Sequence, residues 1–413
     1  MTAGADRKIQ EVPAAAEQPR PVRRRPKNRR AMIAATAAEA FSTLGYHGVS
    51  MDDIAARLDI SSTALYRHYP SKYALFREET LRLGTVCAQS VQLSADECDR
   101  PVAERSNLIF DALLSTSIAN RRGASLLRWQ GRYLQPEDRL ALSADLAAVH
   151  TSGMSLLSEF RPELDEDDKA VLTQALFSII GSLGDHQVNL PVKTLSRRLR
   201  AAAIAVAHCD LPPQQTGVAD PRAETPSTFT PELLLRQAIK LFHEHGYPNV
   251  SVEDIAVAAQ LPAPSAVYRY YRSKGDILTA AFRRAARLVS DAIGPAVAAS
   301  DSPQQALNRL IELYVDGSFT DRELTFVYYA EIGNVDPAER TLLRNIQRLN
   351  VEEWAKLLVA ARPQLAPQEA RLLVHTALTL VVDLGRRYGS ANPACSRSRV
   401  AHLMRAILFG REA

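Results

Sequence analysis

The chain has 413 residues, an apolar fraction of 46% and a net charge of +4. That length asks for two or three domains and the composition can fill their cores. No apolar run approaches a membrane span, and the charged N-terminus lacks the apolar core of a signal sequence. Cys87, Cys98, Cys209 and Cys395 form no close metal-ligand or redox pair, which fits a reducing cytoplasm. No nucleophile–base set, phosphate-cradling glycine loop or ligand cluster points to an enzyme, a metal or a cofactor.

Residues 1–30, rich in Ala, Pro, Gln and charge, read as a disordered basic arm. From Arg20 to Arg30 it carries seven cations and no acid. Such a run is either a solvated tail or an arm that tracks phosphates or enters a minor groove through Arg23, Arg24, Arg25 and Lys27. Its place directly before a DNA-binding pattern favours the second.

That pattern fills residues 31–75. Met32–Tyr46 puts Ile33, Ala37, Ala40, Phe41 and Leu44 on one helical stripe and stops at Gly45. Ser50 caps the next helix, whose Ile54, Ala55 and Leu58 share a face. Asp59 tolerates a left-handed turn and Ile60 follows it inward. Ser61 or Ser62 then caps a helix with Leu65 facing in and Ser62, Thr63, Tyr66, Arg67 and His68 facing out. This is a helix-turn-helix layout, whose second helix lies in a major groove. Thr63 can touch a thymine methyl, Tyr66 can grip a phosphate, and Lys72 can reach a phosphate near the next helix N-terminus.

The run F-x-x-x-G-Y-x-x-x-S-x-x-x-I-A, then I-S-x-x-x-L-Y-R-H-Y-x-S-K, resembles the DNA-binding domain of TetR-family repressors. Asp59 departs from the glycine common at that turn. The resemblance implies an all-α fold, groove contacts from Ser62, Thr63, Tyr66 and His68, and a helical domain that holds a small effector. It also implies pairing through the last two helices.

Residues 76–208 continue in helical pattern, with strong amphipathic segments at Asp168–His186 and Leu195–Ala207. Residues 209–231, rich in Pro, Gln and Thr, read as a linker. The plan then repeats after about two hundred residues, with a second helix-turn-helix at 232–277 and a second helical domain at 278–413. Leu241–Tyr247 restates Ala40–Tyr46, and Ser251 and Lys274 stand where Ser50 and Lys72 stand. One extra residue lies between Leu261 and Val267. Pro264 suits a first helical position, leaving Ser265, Tyr268, Arg269 and Tyr270 outward. This motif is either a relic that only packs or, as the retained Tyr268, Tyr270 and Lys274 suggest, a second reader with another preference.

Both units keep terminal helix pairs, the second at Ala366–Tyr388 and Arg397–Phe409. The chain is therefore expected to close as an intramolecular pseudo-dimer, monomeric on a non-palindromic operator in double-stranded DNA. Tandem fusions of this kind are similar to actinobacterial and mycobacterial repressors of lipid- or sterol-uptake (mammalian cell entry) operons. Aromatic residues offered for an effector pocket are Phe110, Trp129 and Tyr133 in the first unit and Tyr314, Phe326 and Tyr329 in the second, although aromatics at helical spacing are more often core. Arg128 and Arg132 read as solvent-facing or as partners of an acidic effector, and His186 and His375 as helix-interface residues. The expected function is a cytoplasmic, nucleoid-associated repressor released by an apolar effector. The alternative is a DNA-binding protein with no effector response.

Overall fold

The structure is a computed structural model and describes residues 29–214, 229–389 and 392–410. Arg23, Arg24, Arg25 and Lys27 of the arm, and 215–228 of the linker, lie outside the described residues. All regular structure among the described residues is helical.

The first unit runs α1 (Arg29–Leu44), α2 (Met51–Arg57), α3 (Ser62–Tyr66), α4 (Lys72–Gln89), α5 (Ala95–Cys98), α6 (Val102–Ala119), α7 (Pro136–Phe160), α8 (Glu166–Gly181) and α9 (Val192–Ala207). Between α6 and α7 the chain takes short 3-10 and π turns over residues 121–133. The second unit runs α10 (Thr230–His245), α11 (Val252–Ala258), a 3-10 stretch (Pro264–Arg269), α12 (Lys274–Ala298), α13 (Pro303–Thr320), α14 (Arg322–Glu331), α15 (Pro337–Ala361), α16 (Pro367–Tyr388) and α17 (Arg397–Phe409). These are two tandem TetR-like all-α units, each a helix-turn-helix followed by a helical domain.

Each DNA-binding domain has its own core. Ile33, Phe41, Ile54, Leu65 and Phe76 are fully buried in the first, and Leu234, Phe242, Ile255 and Phe282 in the second. A larger core spans both units. Helix α16 packs on α8 and α9, and α17 packs on α9. Leu172, Ile179, Leu199 and Val206 meet Ala370, Val374, Ala377 and Val381 there, all of them sealed from solvent. Each large aliphatic chain so buried contributes roughly 1.5–3 kcal/mol, so the two units share one hydrophobic interior.

Two charged contacts reinforce this seam. Glu369 at the start of α16 accepts from Arg198 at 2.8 Å and from Arg197 at 3.1 Å, both on α9. Hydrogen bonding from Arg198 holds its carboxyl down at about 2. His186 and His375 stack with ring centroids 4.7 Å apart, as expected of interface residues. Helix α7 is long and apolar enough to cross a membrane by length and composition. It instead lies along α4 and α8, with its buried Asp138 held by Tyr73 at 2.6 Å and Arg77 at 2.6 Å.

Candidate DNA-binding interface and effector cavities

The first helix-turn-helix forms for local reasons. The Ser50 hydroxyl accepts from the Asp53 amide at 3.1 Å, and the Ser50 amide donates to the Asp53 carboxylate at 2.8 Å, a reciprocal cap that fixes the start of α2. Those bonds hold the Asp53 carboxyl below its ordinary range. Asp59 takes φ 53°, the left-handed turn. Ser61 caps α3 by accepting from the Ala64 amide at 3.2 Å, and Leu65 is fully buried. Thr63, Tyr66 and Arg67 are left exposed on one face, with His68 half-buried beside them. Ser62 is less free than expected, because its hydroxyl donates to Asp52 of α2.

The second motif repeats this frame up to the turn. Ser251 and Asp254 form the same reciprocal cap, and Gln260 takes φ 55° where Asp59 takes 53°. The paths then part. Ala263 stands at the N-cap with no side-chain cap, and Pro264–Arg269 winds as a 3-10 stretch. The expected recognition helix is thus not an α-helix. Pro262 and Pro264 have no amide protons, and the alanine offers no oxygen to the next turn. Val267 still buries, while Ser265, Tyr268 and Tyr270 are exposed.

Lys72 and Lys274 do not present their ammonium groups to a phosphate. Lys72 donates to the carbonyls of Tyr46 at 3.1 Å and Val49 at 3.0 Å and lies over the Tyr46 ring. Lys274 does the same to Tyr247 at 2.9 Å and Val250 at 2.7 Å. Burial lowers both amines. Each is a staple that closes the loop between the first two helices of its motif. Arg30, at the end of the arm, is likewise engaged with Glu78 and the Tyr69 ring.

The two DNA-binding domains are each held to a polar junction built by the helical domains. Tyr46 and Tyr247, like Gln130 and Glu331, stand 201 residues apart. The Gln130 side chain accepts from the Tyr46 amide at 2.9 Å and donates to the Ala330 carbonyl at 3.1 Å. Glu331 accepts from the Tyr247 amide at 3.3 Å, from the Tyr133 hydroxyl at 2.7 Å and from Asn334 at 2.8 Å. Burial pushes the Glu331 carboxyl up, and Tyr133 and Arg132 oppose the shift. Gly333 approaches so closely that an added Cβ would lie 2.1 Å from the Leu44 carbonyl oxygen.

Above this junction lies a buried ion network. Arg128 bridges Asp185 at 2.6 Å and, across the unit boundary, Asp383 at 2.7 Å. Arg386 donates to the Arg128 carbonyl at 2.6 Å. Trp129 lies against both guanidinium groups and stacks on Tyr329 at 5.4 Å. Arg128 is therefore not solvent-facing, nor is Arg132, which donates to the His243 carbonyl at 2.7 Å.

Among the described residues each helical domain holds a cavity. The first, 430 Å³, lies between α6, α7, α8 and α9 and is walled by Phe110, Leu113, Leu156, Phe160 and Phe177, with Arg200 and His208 among its lining residues. The second, 260 Å³, lies between α12, α13, α14 and α15. Tyr314 and Tyr329 line it. Trp129, Tyr133 and Phe326 line neither cavity. They are interface residues: Phe326 packs edge-on against Trp129 at 5.7 Å, and Tyr133 serves Glu331. Periodicity places aromatics on a buried face but cannot say whether that face meets a void or another unit.

Two segments, 33–78 and 234–281, match the family described as bacterial regulatory proteins, tetR family. The chain carries the TetR-family DNA-binding domain twice. The HTH-type transcriptional activator FasR of Mycolicibacterium smegmatis is 42% identical over 48 residues, which is 12% of this chain and 22% of FasR. The match thus spans about a fifth of that relative's length. Among solved structures, a TetR-family transcriptional regulator from Bordetella parapertussis aligns with 44% of this chain and 94% of its own, at 21% identity and a TM-score of 0.39. The fatty acid degradation regulator FadR from Bacillus halodurans aligns with 44% of this chain and 95% of its own, at 20% identity and a TM-score of 0.36.

Proposed function

We propose that the protein is a sequence-specific transcriptional repressor that binds a non-palindromic operator as one chain and leaves it when a small apolar effector fills the first cavity. The observation that carries this reading is the pair of unlike reading faces held in one body. Thr63 and Tyr66 stand on an α-helix with His68 just past its end, and Ser265 and Tyr268 on a 3-10 stretch with Tyr270 just past its end. Two unlike readers do not favour two identical half-sites. The surfaces that would pair two chains are already buried inside one. Covalent linkage also raises the effective concentration of the second reader, so a weak second half-site is occupied. The apolar walls around Phe110 suit a lipid- or sterol-like ligand, since such pockets are mostly apolar with few polar groups.

The likeness to FasR covers only a DNA-binding domain, so the activator role in that protein's name does not bear on the direction of regulation here. Mass measurement with footprinting tests the assembly. One chain protecting two unlike half-sites is expected, and two chains on a palindrome would refute it. Adding cell lipid extract to the same complex tests release. A complex that survives every extract favours constitutive binding.

A further inference from the structure

Helices α7 and α15 take the same place in the two units, starting at Pro136 and Pro337, 201 residues apart. Over 341–359, α15 carries Arg344, Arg348, Glu352, Glu353 and Lys356, all exposed except the half-buried Glu352. The matching positions of α7 are Ser143, Ala147, Thr151, Ser152 and Ser155. The one acid within 140–158 is Asp145, which accepts from Thr85 of α4 at 2.9 Å. His150, beside Arg387 at 3.3 Å, is held below its ordinary range by burial and stays neutral. Leu140 is 72% exposed and Leu146 38%, and Ala141, Ala144, Ala147 and Ala148 are exposed with them. A helix face open to water normally carries charge. This one carries none over about 28 Å.

Movement of α7 cannot hide that face. Its inner side is committed, with Leu142, Val149 and Leu157 buried. A Cβ added to Gly84 of α4 would lie 2.6 Å from Leu142, and one added to Gly153 would lie 2.8 Å from Phe177 of α8. The outer face is therefore a fixed surface, and a contiguous apolar surface marks an interaction site. Its chemistry selects the occupant. Nucleic acid asks for cations, and Arg139 is the single arginine or lysine in α7. A lipid surface asks for bulky apolar side chains flanked by lysine or arginine, whereas alanine dominates here. A second copy of the chain brings the same uncharged face. Near a two-fold axis each residue must tolerate itself, which alanine does and the arginines of α15 would not.

We propose that the outer face of α7 is a self-association surface, on which two chains pair antiparallel about a two-fold axis at Ala144. That axis sets Leu140 of one chain against Ala148 of the other, large against small, and Glu137 against Thr151. An axis at Ala148 would instead oppose Glu137 and Glu159. A strip about 28 Å by 10 Å on each chain buries on the order of 600 Å² in all. A stable interface takes about 1,200 Å² or more, so pairing is reversible, with a Kd on the order of 100 μM. The face shares no residue with either reader. Each chain keeps its own operator, and the contact joins two complexes.

Sedimentation equilibrium of the full chain, without DNA, from about 10 to 500 μM brackets that Kd. The mass should rise from one chain toward two. Ala144→Glu and Ala144→Lys should each hold it at one chain, with Tm unchanged because the position is exposed. Mixing the two variants should restore pairing, at least about tenfold tighter than either with itself, since opposite charges then meet at the axis. Asn345→Glu, at the matching place on α15, should change nothing. A single-chain mass at every concentration, pairing that survives both charged variants, or charged variants that stay apart when mixed overturns the proposal. So does binding of the native chain to phosphatidylcholine vesicles that Ala144→Glu abolishes, which gives the face to lipid. Every arm is read without DNA, so none of these failures touches the operator reading.

Discussion

In the first unit a capping serine, Ser61, starts a five-residue α-helix; in the second an alanine between two prolines starts 3-10 turns. The first cavity has phenylalanine and leucine walls, whereas the second includes Tyr314, Tyr328, Tyr329 and Asn350 among its lining residues. At the junction Gln130 in one unit matches Glu331 in the other, and Arg128 matches Tyr329. The fold is duplicated, but the exposed faces and the cavities differ. A duplicated chain need not serve two identical half-sites or keep two identical pockets, because each copy varies without changing the other. What must be kept is the seam between them.

Breaking that seam should produce the largest effect. Arg128→Ala leaves Asp185 and Asp383 buried together without their shared cation. Removing one partner of a buried pair costs about 3–5 kcal/mol, and denaturant unfolding should show that loss. Arg128→Met with Asp185→Leu and Asp383→Leu should recover much of it, because replacing all three leaves no carboxylate buried without its cation. A loss below about 1 kcal/mol for the single change would mean that water reaches the network.

The histidine stack predicts an acid weakness of the same seam. Burial lowers His375 from 6.5 to about 4 and His186 well below its ordinary value. The unfolded chain therefore binds these protons more readily than the folded one. Stability should be complete above about pH 6.5 and fall as pH drops toward 4, by on the order of 3 kcal/mol for a shift of this size. His375→Gln should flatten the thermal melting temperature across that window. Glu369 acts lower, between its ordinary range and about 2, so the two contributions can be told apart.

What could be read from the sequence was what neighbours in sequence decide. The cap at Ser50, the turn at Asp59, inward Leu65 and the stop at Gly45 each depend on residues a few positions away. The terminal helix at Ala366–Tyr388 was legible because burial against any partner demands the same apolar spacing. Arg128 was not, since its partners stand 57 and 255 residues away. Trp129, Tyr133 and Phe326 failed as pocket residues for the same reason. Lys72 looked free because a lysine beside a helix N-terminus says nothing about carbonyls folded over it. The 3-10 reader did leave a trace: two prolines flanking a residue without a capping oxygen.

The arm is a third asymmetry, because seven cations fall between Arg20 and Arg30 before the first reader while Arg222 is the one cation in 209–231 before the second. Replacing Arg23, Arg24 and Arg25 with Ala should weaken binding to all sequences alike. The slope of log affinity against log salt should shrink by up to about 2.7, given about 0.9 per phosphate neutralised. An unchanged slope would make the arm a spectator. With Lys72 and Lys274 turned inward, the arm is the main candidate for this electrostatic contribution.

Base readout should separate the two faces more finely. Thr63→Ala removes a methyl and a hydroxyl from the exposed face of α3, and should cost about 1–3 kcal/mol of discrimination at one half-site. Ser265→Ala should do so at the other half-site only. Binding measured on duplexes altered in one half-site at a time checks both. If Thr63→Ala relaxes preference at both half-sites equally, the readers are not assigned one to each.

The smallest expected effect bears on why the readers differ. Ser61 caps α3, and Ser61→Ala should cost about 1 kcal/mol, seen as faster amide exchange at His68 and Tyr69, whose amides bond the Leu65 carbonyl. In the second unit the backbone at Ala263 is extended, φ −158° and ψ 150°. Ser71, with φ −157° and ψ 164°, caps α4 from almost the same conformation. A serine at 263 could therefore accept from the Ala266 amide, which at present reaches only the Ala263 carbonyl at 3.0 Å. Ala263→Ser should stabilise the second reader by about 0.5–1 kcal/mol and slow exchange at Tyr270 and Tyr271. If exchange slows and preference at the second half-site shifts, the missing cap sets the reader's geometry. If neither changes, the prolines and the inserted residue set it, and the 3-10 form is fixed by the backbone rather than by one absent oxygen.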